Sequence, residues 1–192
     1  MDAIAKTVAF VLLLAAIAGG VWWWQRGTKG RSTGLKSEES TLFGSTPEAI
    51  KAAKLILIDV NDKAEFDDAH IAGGKGVVSI YVPFGELDRA TGLLPREAQI
   101  ITYCSNYFCS ACHTAAKKLI DAGFTKVKMF DAGIAAWYQR AQQEPAKYRF
   151  EGAAQRPYLK VHVNKPAGTG DRLPSIDAEE LQKLIEAINI LP

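Results

Sequence analysis

Three cysteines among 192 residues are too few, and odd in number, for a disulfide scaffold. The charge is nearly balanced at +2, and no long basic stripe appears, which excludes the electrostatic footprint of a nucleic-acid binder. A second cluster of ligand residues is also missing, so a structural zinc site has nothing to close it. The apolar and charged fractions, 48% and 23%, are those of an ordinary globular protein. What is present is concentrated. Cys104, Cys109 and Cys112 all fall within nine residues. Such clustering points to reactive or ligand chemistry. The plainer alternative is that some of them, Cys112 above all, are small buried residues.

Thr7 to Trp24 runs without a charged residue. As a helix it would be about 27 Å long, close to the thickness of a bilayer core. Trp22, Trp23 and Trp24 close the run, as in an interfacial aromatic belt. A retained membrane anchor is expected, with a cleaved signal peptide, cut near Ala16-Ile17-Ala18, as the competing reading. Lys6 precedes the run, while Arg26, Lys29, Arg31 and Lys36 follow it. The positive-inside rule then places the soluble part in the cytoplasm, a periplasmic placement being the alternative. The chain divides into an anchor over 1–25, a flexible Gly/Ser/Thr-rich linker over 26–41, a globular domain over 42–141 and a C-terminal extension over 142–192.

Within the domain, apolar runs alternate with helical patterns. Leu55 to Val60 is continuous and apolar, as expected of a strand buried on both faces of a parallel sheet. Val77–Val82, Gln99–Tyr103 and Val127–Phe130 read as further strands. Thr46-Pro47-Glu48 marks a helix start, Ser110–Ala122 reads as a helix stopped by Gly123, and Ala135–Arg140 closes the domain. The expected class is α/β, with a layered, mainly parallel central sheet. In the extension, Leu159–Val163 alternates like a half-buried strand. Ala178–Ile188 reads as an amphipathic helix that packs on the domain or docks on another membrane subunit.

Four segments in order resemble a rhodanese-type domain over roughly residues 46–141. They are Leu57-Ile58-Asp59-Val60 with His70-Ile71-Ala72-Gly73; Tyr103-Cys104 with Ser110-Ala111; Leu119–Val127; and Asp131-Ala132-Gly133-Ile134-Ala135-Ala136-Trp137. The resemblance implies a rhodanese-like fold, a sulfur donor and a thiol acceptor as partners, and a persulfide on Cys104. Ser105, Asn106, Tyr107, Phe108, Cys109 and Ser110 would form the loop around it, with backbone N–H groups cradling the sulfur at an accessible tip. The amino end of the following helix would favour the thiolate. His70 would bridge turns, and Asp59 would orient the loop or bind backbone amides.

The loop departs from the family pattern. Tyr107 stands where glycine is common, and Cys109 where arginine is common, so the fixed positive charge suited to thiosulfate is gone. Cys109 is either a redox partner of Cys104 or a neutral filler. Tyr107 and Phe108 give an aromatic tip, for substrate selection or for contact with a protein. Cys109, Cys112 and His113 also spell the haem c motif. That motif overlaps a helix turn, and Met1, Met129, His70 and His162 are the other candidate axial ligands, so no cofactor or metal is expected. Three functions follow: a membrane-anchored sulfane-sulfur carrier, an accessory subunit of a membrane complex, or a thiol redox protein using Cys104 and Cys109. The membrane-facing partners are lipid and, in the second case, a membrane protein complex.

Overall fold

The computed structural model describes residues 43–166 and 173–191. The proposed anchor over 7–24 lies outside these residues. Among those described, no helix is long and apolar enough to cross a membrane.

Four strands make one parallel sheet in the order β3-β1-β4-β5: β1 (Leu55–Asp59), β3 (Val77–Tyr81), β4 (Gln99–Tyr103) and β5 (Val127–Phe130). Between the first two, β2 (His70–Ile71) pairs antiparallel with β6 (Phe150–Glu151). Every residue of β1 is buried, as its unbroken apolar run predicts for a strand covered on both faces. Successive side chains then serve two different cores. Ile56, Ile58, Ile80 and Ile100 face one side with Cys104 and Cys112; Leu55, Leu57, Ile101 and Tyr103 face the other with Trp137.

The helices supply the outer layers. α1 (Pro47–Ala52) starts as expected, with Thr46 Oγ1 accepting from the Ala49 N–H. α2 (Lys63–Asp68) is capped by Asp62. α3 (Leu87–Thr91) follows a 3₁₀ turn at Phe84–Glu86. α4 (Ala111–Asp121) buries Cys112, Ala115, Ala116 and Leu119 in the first core, and ends before Gly123 at φ +90°. α5 (Gly133–Gln143) buries Ile134, Trp137 and Ala141 in the second.

The extension belongs to that second core. α6 (Ala178–Ile190), opened by an Asp177/Glu180 capping box, buries Leu181, Ile185 and Ile188 there. This helix packs on its own domain, the first of the two placements expected of it. The strand expected over 159–163 is absent. Pro157–Lys160 forms a 3₁₀ turn instead, with Leu159 buried and Val161 exposed. Among the described residues no strand pairs with it; the Gln139 side-chain amide donates to the carbonyls of Leu159 and Val161 instead. The free edge of β5 is met by Ser175: Met129 N–H donates to Pro174 O, and Ile176 N–H to Met129 O.

Candidate functional site

The carboxyl ends of β1 and β4 lie side by side, Asp59 opposite Tyr103. The chain leaves β4 at Cys104, loops through Ser110 and enters α4. Thr102 Oγ1 donates to Cys112 O and so ties the strand to the first turn of that helix. α5 holds the loop from the other side: Ile134 N–H donates to Cys104 O and Ala135 N–H to Ser105 O. Contact is close because Gly133, at φ +67°, has no Cβ; one added there would lie 2.4 Å from Cys104 O and 2.7 Å from Asn106 N. Gly133 lies in the segment Asp131–Trp137 that resembles the family's closing signature, and its support of the loop shows only in the fold. The signal was a glycine directly ahead of a helical pattern.

Inside the loop, Asn106 does the turning. Its side-chain carbonyl accepts from Phe108 N–H, and its backbone carbonyl from Cys109 N–H. The described non-glycine residues with positive φ are Phe43 and Ala154, so Tyr107 fills the usual glycine place without needing glycine's freedom. Phe108 stands out at 75% exposure, whereas Tyr107 leans onto the second core. Beside Tyr107, a cleft of about 420 Å³ opens between α5 and the extension, lined by Asp131, Gln139, Arg140 and Lys165 among others. Lys165 pairs with Asp131 at 2.8 Å.

Cys104 is not at an accessible tip. Its exposure is 0%, and its thiol donates to Cys109 O at 3.1 Å. Cys112, also at 0%, lies beneath and directs its thiol at the same carbonyl, 3.7 Å away. Cys109 is partly exposed. The three cysteines are neighbours: the thiols of Cys104 and Cys112 converge on Cys109 O, and the side chains of Cys109 and Cys112 both act on the Cys104 thiol. The backbone N–H groups of Ala111 and Ser105 face the Cys109 sulfur and favour its thiolate. The amides expected around Cys104 are thus divided: the Cys112 N–H favours the Cys104 thiolate, and those of Ala111 and Ser105 favour that of Cys109.

Both thiols sit above their ordinary pKa. For Cys104 the Cys109 side chain pulls downward, but the Cys112 contact and burial outweigh it. For Cys109 the hydrogen bond with Cys104 raises the value most, then burial, against the two amides. At the strand end, Asp59 is fully buried, accepts from Asn61 N–H at 2.9 Å, and is pushed up to about 8 by desolvation. Its Oδ2 has no hydrogen-bond partner among the described residues. His70 donates through Nδ1 to Phe66 O at 2.8 Å and stacks on the Phe66 ring at 3.8 Å. It therefore spans the end of α2 and the start of β2. Among the described residues, no group of three or more His, Cys, Asp or Glu side chains is arranged to hold a metal ion.

A parallel sheet between helix layers, with a cysteine loop leading from the central strand into a helix, defines a class. The rhodanese-like domain model matches residues 45–140, and the chain belongs to that family. A probable adenylyltransferase/sulfurtransferase, MoeZ of Mycobacterium tuberculosis, is 34% identical over 95 residues, which is 50% of this chain. The match spans only 23% of that relative's length. Among solved structures, the BH2092 protein of Bacillus halodurans is 29% identical, with a TM-score of 0.43 over 53% of this chain and 66% of that one. The rhodanese-like domain of the Alr3790 protein of Anabaena sp. is 26% identical, with a TM-score of 0.39 over 50% of this chain and 86% of that one.

Proposed function

We propose that this protein accepts sulfane sulfur as a persulfide on Cys104, held at a membrane by the anchor over 7–24 with its domain on the cytoplasmic side. One observation carries the reading: within a rhodanese-like domain, a cysteine ends the central strand and is wrapped by the loop that opens α4. The likeness to a probable sulfurtransferase supports it. In the proposed reaction the Cys104 thiolate attacks the outer sulfur of a donor persulfide. A bond forms between the two sulfurs, the donor S–S bond breaks, and the electron pair leaves on the donor thiolate. An alkyl persulfide or polysulfide suits this loop better than thiosulfate, because the position that would carry a cation is Cys109. Burial of Cys104 means that the loop opens to load. No metal or cofactor is needed.

A second reading, a thiol redox protein, is favoured by the direct contact between Cys104 and Cys109. Both readings use the same loop. The test incubates the reduced full chain with inorganic polysulfide and follows the cyanide-reactive sulfur left in the donor fraction. Stoichiometric loss that vanishes in Cys104→Ser supports the sulfur reading; an unchanged donor sinks it. Membrane placement is checked separately, by comparing membrane and soluble fractions of the full chain and of a form lacking residues 1–25. Equal solubility of the two would rule out the anchor.

A further inference from the structure

Building on the sulfur-accepting reading, we infer that the loop does not store its persulfide but reduces it, Cys109 expelling the sulfur as hydrosulfide and closing a disulfide with Cys104. Two geometric facts carry this. First, Cys109 adjoins Cys104 within the same loop. Its side chain lies against the Cys104 thiol, its carbonyl receives that thiol at 3.1 Å, and the N–H groups of Ser105 and Ala111 face its sulfur. A loop that cradles its own second thiol in this way sets an internal nucleophile beside any sulfur loaded on Cys104. Second, Cys104 is 0% exposed while Cys109 is partly exposed. An external acceptor thiol must open the loop to reach Cys104, whereas Cys109 is already in contact. Proximity of that kind favours the intramolecular reaction over one with a thiol from solution.

The step balances without another reagent. The Cys109 thiol gives up its proton and its sulfur attacks the inner sulfur of the persulfide, Cys104 Sγ. A bond forms between the two Sγ atoms, and the bond from Cys104 Sγ to the outer sulfur breaks. The electron pair leaves with that outer sulfur, which takes up a proton and departs as hydrosulfide. The sulfane sulfur is reduced by two electrons and the thiol pair is oxidised by two. Closing the disulfide brings the sulfurs from contact to about 2.05 Å, a movement within one loop. An external dithiol would restore the pair for another cycle. Cys112 is in contact with Cys104 but lies in the core beneath it, so it stays a bystander.

The experiment uses the reduced full chain under anaerobic conditions, with a limiting alkyl persulfide, whose leaving group is an alkyl thiolate and not sulfide, and no other added thiol. Released sulfide is quantified, and intact mass is measured after desalting. The expected result is one sulfide per chain, with a product two hydrogens lighter than the reduced protein and a Cys104–Cys109 cross-link in the peptide map. Cys109→Ser is expected to keep one extra sulfur on Cys104 and release no sulfide, while Cys112→Ala behaves as wild type. A wild-type chain that retains the extra sulfur and frees no sulfide overturns this inference and leaves the carrier reading intact. Sulfide release undiminished in Cys109→Ser overturns it as well. A chain that consumes no donor sulfur defeats both proposals together.

Discussion

Replacing Gly133 by alanine tests whether α5 fixes the cysteine loop. Two costs add at this position. The backbone stands at φ +67°, where an L side chain costs about 1–2 kcal/mol. The new Cβ would also lie 2.4 Å from Cys104 O and 2.7 Å from both Ser105 C and Asn106 N. These are backbone atoms of the loop, so no flexible side chain can swing away. Relieving such overpacking costs roughly 1–3 kcal/mol. A combined loss of about 2–5 kcal/mol corresponds to a fall in Tm of roughly 5–15 °C for a domain of this size. Part of the strain can be released locally if the loop lifts off α5 and the bonds from Ile134 and Ala135 stretch. The assay therefore pairs thermal unfolding with site-resolved alkylation by iodoacetamide. Gly133→Ala is expected to melt lower and to expose Cys104 to alkylation faster than wild type. A Tm within about 2 °C of wild type together with unchanged Cys104 labelling would refute the close contact between Gly133 and the loop.

Three other outcomes follow from the same geometry. Asp59 rises from 3.8 to about 8 on burial, so between those values the folded state holds a proton that the unfolded state has lost. Wild-type stability should then fall as pH rises through that window and level off above it, by up to about 1.4 kcal/mol per pH unit. Asp59→Asn should flatten the profile in urea titrations, and an identical slope would exclude Asp59 as its source. Because Cys104 and Cys109 are both held above the ordinary thiol range, their alkylation should be slow at neutral pH and climb steadily with alkalinity; rapid labelling at pH 6 would contradict this. Asp68 takes the backbone N–H groups of Gln155 and Arg156 on its carboxylate. Asp68→Ala should cost about 1–2 kcal/mol and speed hydrogen exchange over residues 152–160, where unchanged protection would show that the bonds carry no weight.

Strand and helix alternation was legible because β1 is apolar at every position and the others follow in turn-bounded runs; the caps at Thr46 and Gly123 lie where residue chemistry puts them. Leu159–Val163 misled because alternation describes a side chain's exposure, not its backbone partner. Leu159 is buried as a strand residue would be, yet the carbonyl bonds go to the single side chain of Gln139, twenty residues upstream. The cysteine cluster, the loop length and the helix after it could be read directly. How the amides divide between the two sulfurs could not, since that depends on how the side chains turn within the loop. Asp68 was missed for a similar reason. It ends a short helix in sequence, but its role is to anchor a segment 87 residues away.

The way the extension closes over β5 bears on how this protein can be cut. The family match stops at residue 140, but the hydrophobic layer on that side of the sheet is completed by Leu159, Ile176, Leu181, Ile185 and Ile188. A fragment ending at the family boundary would leave Trp137 and Phe130 facing water and the outer strand with unpaired amides, which is a template for edge-to-edge association. The evolutionary module and the cooperative unit of folding are therefore different lengths of chain. Sulfur chemistry assayed on the shorter one would report on a damaged sheet rather than on the loop.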